Sequence, residues 1–134
     1  MTLEELNGHL DMVTQLAFAK EALQAAQAQI LGATQYDGMP HAHDPSRRPE
    51  NLSIVLQSRE DDVKRLEAIV ERSEVGVREY IKSIEDIRTR AIFEYRFLCG
   101  MKWEDVARFI GGRNTEITVK QTCYRYLNIT NDTE

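Results

Sequence analysis

The chain has 134 residues, of which 42% are apolar and 29% are charged, and its formal net charge is −5. This composition is typical of a globular domain, and it excludes a collagen-like fibre and a chain that is disordered throughout. The unbroken apolar runs, such as residues 54–56, are far shorter than the roughly 20 residues that a membrane-spanning helix needs.

The amino terminus has neither the basic patch nor the apolar segment of a secretory signal, and Cys99 and Cys123 lack CxxC spacing. We therefore expect a cytoplasmic protein with reduced thiols and no membrane association.

His41, His43 and Asp44 lie in a proline-rich segment, where we expect adventitious metal binding at most. Nucleophile motifs, phosphate loops and converging acid and base pairs are absent, so we expect no enzyme, no cofactor and no metal site.

Residues 3–31 are predicted to form the first helix. They lack proline, are rich in strong helix formers and place apolar residues at spacings of 3 and 4. Thr2 and Glu5 predict a capping box at its start, and Gly32 predicts a C-cap at its end. Residues 32–51 contain all three prolines and two glycines, which predicts a loop.

A heptad repeat follows the loop and predicts a second helix over residues 52–82. Its two interleaved series are Leu52, Arg59, Leu66, Ser73, Tyr80, Ile87 and Leu56, Val63, Val70, Val77, Ile84, Ala91. A helix of this length, about 45 Å, cannot bury such a seam by itself. We expect it to pack on the first helix, so that residues 1–83 form a long, antiparallel, coiled-coil-like helical hairpin.

Two helices bury little surface, and Arg59 and Ser73 on the seam resemble the polar residues that set register and oligomer state. We therefore expect a homo-oligomer, a dimer or higher. The alternative is a second helix that packs only within its own chain.

The last third of the chain predicts three shorter helices, over residues 84–98, 101–110 and 115–127. Gly100 separates the first two, a turn over residues 111–114 separates the last two, and Thr115 is the expected N-cap. Small Ala107 with Val106 and Ile110 on one helix, and Val119, Cys123 and Tyr126 facing inward on the next, predict a helix-turn-helix. The expected fold is thus all-α: a helical hairpin, a helix-turn-helix domain over residues 84–127 and a frayed polar tail over residues 128–134.

The charged residues are distributed unevenly along the chain, with an acidic first part and a basic second part. Residues 1–83 carry 9 basic and 14 acidic side chains, whereas residues 88–127 carry 8 basic and 4 acidic ones. The basic segment coincides with the predicted helix-turn-helix, which favours nucleic acid as its partner despite the overall negative charge.

The stretch over residues 98–127, with its Trp103-x-x-Val106-Ala107 core, resembles the region 4 helix-turn-helix of sigma-70 factors. It is similar in particular to small phage and prophage regulators of the RinA and ArpU type. Residues 36–41 of the linker also resemble that group, so the resemblance covers most of the chain. One departure is that Val119 lies twelve positions after Ala107 where region 4 usually has ten, because residues 111–114 lengthen the turn.

The resemblance implies a prophage-encoded, sequence-specific regulator, an activator of phage genes, that binds double-stranded DNA. Its base-contacting residues would be Glu116, Ile117, Lys120 and Gln121. Its phosphate-contacting residues would be Lys102, Arg108, Arg113, Thr115 and Arg125. The aromatic residues Phe93, Tyr95, Phe97 and Trp103 are expected in the core rather than stacked on bases.

Two other functions fit the same pattern. A small terminase-like subunit would use a similar helix-turn-helix to recognise packaging-site DNA, and it would assemble a ring of many subunits rather than a dimer or tetramer. A protein-interaction module would dock on RNA polymerase without reading DNA, and it would show no DNA binding.

Overall fold

The computed structural model describes the backbone of residues 1–35 and 49–132 and the side chains of residues 1–31 and 50–128. These residues form helices and no β-strand, which confirms the predicted all-α class. The helices are α1 (Leu3–Gln35), α2 (Pro49–Lys82), α3 (Ile87–Phe93), a π-helical segment (Glu94–Leu98), α4 (Trp103–Ile110) and α5 (Glu116–Asp132).

Helix α1 begins at the predicted capping box. The Thr2 amide donates to Glu5 Oε2 at 3.0 Å, and the Glu5 amide donates to Thr2 Oγ1 at 3.1 Å. The predicted end was wrong, because α1 runs through Gly32 to Gln35. Glycine weakens a helix by about 1 kcal/mol relative to alanine, but it ends one only where it adopts a left-handed conformation.

Helix α2 begins earlier than predicted, at Pro49. Proline is favoured in the first turn of a helix, since its missing amide hydrogen would have no intrahelical partner there. The predicted loop over residues 32–51 is therefore helical at both ends. Residues 36–48 lie outside the described residues, as do the linker motif at 36–41 and the expected metal-attracting group of His41, His43 and Asp44.

The heptad pattern of α2 holds over its second half and into the connection that follows. Val63, Leu66, Val70, Val77 and Ile84 are each at most 9% exposed. Leu52 is 37% exposed and Ile87 is 73% exposed, so the pattern fails at both ends. It fails at Ile87 because α2 ends at Lys82 and a new helix begins from a cap of its own.

That cap is Asp86, which corrects the predicted helix start at residue 84. Its Oδ2 accepts hydrogen bonds from the Thr89 amide at 3.0 Å and the Thr89 hydroxyl at 2.7 Å. These bonds stabilise the carboxylate and lower the pKa of Asp86. Residues 84–86 are consequently extended backbone or turn, and α3 starts at Ile87.

The chain divides into two compact units. The larger unit comprises Met1–Met12 and Val70–Glu134, and the smaller unit comprises Val13–Ile69. The larger unit contains a continuous apolar core formed by Leu6, Val77, Ile81, Ile84, Ile92, Phe93, Phe97, Val106, Ala107, Val119, Cys123 and Leu127. The helical parts of the smaller unit are α1 from Val13 onward and α2 up to Ile69. The buried apolar side chains among its described residues are Ala19, Val63 and Leu66.

The seam residue Ser73 has a partner within the chain. His9 Nδ1 lies 2.6 Å from Ser73 Oγ, and Ser73 Oγ donates to the Val70 carbonyl at 3.1 Å. Because the serine proton is used in that second bond, the imidazole must be the donor in the first. Burial of His9 lowers its pKa, and the nearby Glu74 carboxylate opposes this shift.

Candidate nucleic-acid interface

Helices α3, α4 and α5 pack against one another in the larger unit. Val106 of α4 and Val119 and Cys123 of α5 are fully buried, and Ala107 is 7% exposed. The predicted inward positions at Val119 and Cys123 are confirmed, whereas Tyr126 is half-buried and Leu127 takes the deeper position. Because Ala107 is small, α5 can pack closely on α4, and the buried apolar side chains of the two helices fix the position of α5.

Two glycines shape the turn between α4 and α5. Gly111 and Gly112 have φ angles of 79° and 65°, in the left-handed region that residues with a Cβ rarely adopt. The Gly111 amide donates to the Ala107 carbonyl at 3.1 Å and closes α4. Asn114 Nδ2 donates to the Gly111 carbonyl at 2.7 Å. Residues 111–114 therefore form a hydrogen-bonded turn.

Thr115 caps α5, as predicted. Its Oγ1 accepts from the Thr118 amide at 3.3 Å, and its own amide donates to Thr118 Oγ1 at 2.8 Å. This reciprocal pair satisfies two of the amide groups that every helix start leaves unpaired. At its other end α5 extends to Asp132, which corrects the predicted end at residue 127. Residues 128–132 of the expected frayed tail are helical, since no glycine or proline interrupts them.

The four predicted base-contacting residues share the first two turns of α5. Ile117 is 66% exposed, Glu116 and Gln121 are exposed, and Lys120 is half-buried. Lys120 Nζ lies 3.0 Å from Glu116 Oε1, so these two side chains form an ion pair one helical turn apart. The arrangement presents an amide, an apolar group and a neutralised charge pair on one exposed surface, which we call the α5 face (Glu116, Ile117, Lys120, Gln121).

The predicted phosphate-contacting residues divide into three groups. Arg113 and Thr115 are exposed immediately before the α5 face, and Arg125 is exposed one turn after Gln121. Lys102 precedes Trp103, whose ring centroid lies 6.2 Å from that of Tyr124 on α5. Arg108 forms an ion pair of 3.6 Å with Asp105 within α4. The structure therefore places Arg113, Thr115 and Arg125 next to the α5 face and gives Arg108 a local partner.

Arg88 is a residue that the sequence pattern did not identify. Its guanidinium donates to Thr122 Oγ1 at 3.0 Å and to Asn114 Oδ1, which joins α3 to α5 and to the turn before it. The partners are 34 and 26 residues away, and no periodicity or motif connects positions that far apart.

Most of the aromatic residues serve the core. Phe93 and Phe97 are at most 1% exposed, which confirms their predicted role, while Tyr95 and Trp103 are half-buried. Arg96 lies over the Trp103 ring at 4.8 Å and donates to the Met101 carbonyl at 2.8 Å, so this arginine fixes the start of α4. Tyr124, which sequence reasoning did not single out, is 39% exposed on α5.

Metal binding, a nucleophilic cysteine and a membrane span are three further possibilities for the described part of the chain. It contains no group of three or more histidine, cysteine, aspartate or glutamate side chains placed to hold a metal ion. Burial raises the pKa of the Cys123 thiol to about 12, so this cysteine is a packing residue rather than a nucleophile. None of the helices within the described ranges has an apolar stretch long enough to cross a membrane.

Comparison with known proteins adds no relative: no family model, no curated protein and no solved structure matches the chain.

Proposed function

We propose that the chain is an oligomeric, cytoplasmic, prophage-encoded transcription regulator that binds double-stranded DNA through a sigma-70 region 4-like helix-turn-helix. In this proposal α4, the glycine turn and α5 form the helix-turn-helix, with α5 as the recognition helix. The observation that carries the proposal is the α5 face: a capped helix, packed on a closely approaching helix, with hydrogen-bonding side chains exposed on its first two turns. A recognition helix presents its amino-terminal residues to base edges in this way.

The side chains of the α5 face match the chemistry of the major groove. Gln121 can form two hydrogen bonds to adenine, and Lys120 can donate to the two acceptors of guanine. Glu116 can accept from the amino group of cytosine, and Ile117 can contact the thymine methyl group. The face can therefore discriminate between base pairs.

Phosphate binding follows from the residues that flank this face. Arg113 lies in the turn immediately before α5, where the amide groups and the dipole of the helix start also favour an anion. Arg125 extends the positive surface along the same helix. Contacts of this kind position the protein on DNA without reading its sequence.

In this proposal α1 and α2 form an antiparallel hairpin that serves as the association region. The pairing of His9 with Ser73 in the larger unit and the ion pair of Lys20 with Glu67, 3.8 Å apart, in the smaller unit both support it. Lys20 lies farther along α1 than His9, and its partner Glu67 lies earlier in α2 than Ser73, which is the order that antiparallel helices give.

The test is selection of binding sites from a pool of random DNA duplexes, followed by fluorescence anisotropy at two salt concentrations. We expect saturable binding that weakens with salt, with a log–log slope of about −0.9 for each phosphate contacted. Arg113→Ala should reduce the magnitude of that slope by about 1, whereas Lys64→Ala, which removes an exposed charge from α2, should leave it unchanged. No binding at low salt would reject the proposal and favour the module that docks on RNA polymerase.

The division of roles has its own test. We expect Lys120→Ala and Gln121→Ala each to lose roughly 1–3 kcal/mol of discrimination between the selected site and sites mutated at one base pair, because each removes a base-edge contact. Arg113→Ala should weaken binding to all duplexes alike. Equal losses on selected and random DNA for all three variants would contradict the assignment.

A further inference from the structure

The smaller unit contains a helix segment with an unusual surface. Between Val13 and Gln35 the only charged residues of α1 are Lys20 and Glu21, and apolar side chains occur around its whole circumference rather than along one side. Helix α2, in contrast, has one apolar stripe and a charged opposite face. A helix with few charges and with apolar side chains on more than one side commonly packs on more than one partner, and α2 can cover only one side.

Exposure values show the same imbalance. Among the described residues of the smaller unit, the exposed large apolar side chains are Val13 (37%), Phe18 (71%), Leu31 (64%), Leu52 (37%), Ile54 (68%) and Val55 (45%). This set is larger than the three apolar side chains that the unit buries there. A pair of helices with so small a core gains stability from a further packing surface.

The uncovered side of α1 carries a regular pattern. Spacings of 3, 4, 3 and 4 relate the residues that we call the α1 stripe: Gln15, Phe18, Ala22, Ala25 and Gln29. This is the spacing of a coiled-coil seam, and its alanines allow another helix to approach closely. The stripe borders a groove of about 400 Å³ between α1 and α2, lined by Gln15, Phe18, Ala19, Ala22, Arg59, Asp62, Arg65 and Leu66.

We propose that the α1 stripe and its groove are covered by a second copy of this chain, with Phe18 of each copy seated in the groove of the other. The first reason is self-complementarity. Each copy offers one protruding phenylalanine and one groove beside it, which is the arrangement that a two-fold axis makes reciprocal.

The second reason is area. About 20 residues of each helix give a face roughly 30 Å long and roughly 20 Å wide, or about 600 Å² per copy. Two such faces bury about 1,200 Å² in total, which reaches the lower limit of stable protein interfaces. A second hairpin is therefore large enough to complete a four-helix bundle.

The third reason is charge. Asp62 at the groove lies 3.8 Å from Arg59 and 3.4 Å from Arg65, so both signs are present along one rim. A two-fold related copy presents the same three charged side chains in reverse order, so that arginine of one copy can pair with aspartate of the other. A uniformly acidic or uniformly basic partner would meet like charges on this rim.

The experiment measures the mass of the full chain by light scattering over a range of micromolar concentrations. We expect a wild-type mass of at least twice the 15.4 kDa of one chain and a Phe18→Glu mass of one chain, a reduction of twofold or more. Val75→Glu is the matched control, because Val75 is also an exposed apolar residue, 55% exposed, and belongs to the larger unit. It should keep the wild-type mass.

Circular dichroism distinguishes a lost interface from a lost fold. Since Phe18 is 71% exposed within one chain, Phe18→Glu should stay helical when measured as a monomer. Should that variant unfold, Phe18→Gln provides a milder change, for which we expect weaker association with helicity retained. A monomeric wild-type chain, or variants at position 18 that keep the wild-type mass, would overturn the proposal.

This inference deepens the oligomeric part of the proposed function and rests on that part, not on DNA binding. The two can fail separately: a wild-type dimer that Phe18→Glu dissociates, but that binds no DNA, would support the interface and reject the regulator.

Discussion

At the scale of single residues, the ion pair on the α5 face decides how much positive charge the face offers. Glu116 and Lys120 lie 3.0 Å apart, with side chains 45% and 37% exposed. Pairs this exposed contribute little to stability, about 0–1 kcal/mol, because water screens them. The consequence of the pair is therefore for binding: the Glu116 carboxylate offsets the positive charge that Lys120 offers to DNA, although the ammonium keeps N–H groups for other acceptors.

We predict that Glu116→Gln strengthens binding to random duplexes. The change frees Lys120, so one more cation is available and the magnitude of the salt slope should rise by about 1. Anisotropy titrations at several salt concentrations measure both quantities. Glu104→Gln is the control, since it removes the same charge from α4, where Lys120 is not its partner. An unchanged slope for Glu116→Gln would show that Lys120 contacts no phosphate once it is free.

Sequence patterns predicted the local features of the fold well. The capping box at Thr2, the cap at Thr115 and the glycine stop at Gly100 depend on neighbouring residues, and all three are present. Gly32 and Ile87 were predicted wrongly because each depends on what competes with the local pattern. Strong helix formers around Gly32 outweigh its preference, and the Asp86 cap starts a new helix that interrupts the heptad repeat at Ile87.

At the scale of elements, Arg88 links the helix before the proposed helix-turn-helix to the turn and to α5. Its bonds to Asn114 and Thr122 cross between elements, and Asn114 in turn holds the Gly111 carbonyl. The position of α5 relative to α3 is thus set by one side chain in addition to the apolar core. That the four residues of the α5 face share one surface is predictable from the sequence, because they lie on successive turns of one helix. The role of Arg88 is not predictable in this way, because only folding brings its partners near.

We predict that Arg88→Met destabilises the fold modestly and weakens specific DNA binding more than random binding. Two exposed hydrogen bonds are lost, each of about 0.5–1.5 kcal/mol at most, while methionine keeps the side-chain length. Without this brace α5 can shift, which disturbs base contacts more than phosphate contacts. Urea unfolding and anisotropy give the two readouts. Arg78→Met is the control, because it also removes an exposed arginine but lies outside the groove beside the α1 stripe. A wild-type ratio of specific to random affinity for Arg88→Met would contradict the bracing role.

His9 of α1, which contacts Ser73 of α2, is the one buried histidine among the described residues. His9 is 4% exposed and donates to Ser73, and burial keeps its pKa below that of a free histidine. The folded chain therefore binds a proton at this site less readily than the unfolded chain does. By linkage, the stability that neutral His9 contributes is complete above pH 6.5 and is lost as the pH falls through the lowered pKa of the folded state. The Glu74 carboxylate reduces the loss.

We predict that the urea concentration at which half of the wild-type chain is unfolded is lower at pH 5 than at pH 7.5. The same decrease should be smaller for His9→Asn. Asparagine keeps a donor for Ser73 but does not titrate. The variant should be less stable than wild type at pH 7.5, because the smaller side chain packs less well against the buried seam. If the urea midpoint changed with pH equally in wild type and His9→Asn, the pH dependence of stability would not come from His9.

At the scale of the whole molecule, the proposed association and the proposed DNA reading would use different segments. The α1 stripe lies in the smaller unit, and the α5 face lies in the larger one. The acidic balance of residues 1–83 and the basic balance of residues 88–127 agree with this division, since only the second segment would approach phosphates. A protein that joins two copies through one segment and reads DNA with another binds two half-sites at once, and each copy then raises the effective concentration of the other.

We therefore predict that selected DNA sites contain two inverted half-sites whose centres lie about 10–10.5 base pairs apart or a multiple of that distance. Phe18→Glu should bind such a site no more tightly than a duplex with one half-site, because its copies no longer associate. Val75→Glu should retain the wild-type preference for the double site. Sequencing of the selected pool identifies the repeat, and anisotropy with single and double half-sites measures the preference. Wild-type preference in Phe18→Glu, or selected sites without a repeat, would mean that association through the α1 stripe does not serve DNA recognition.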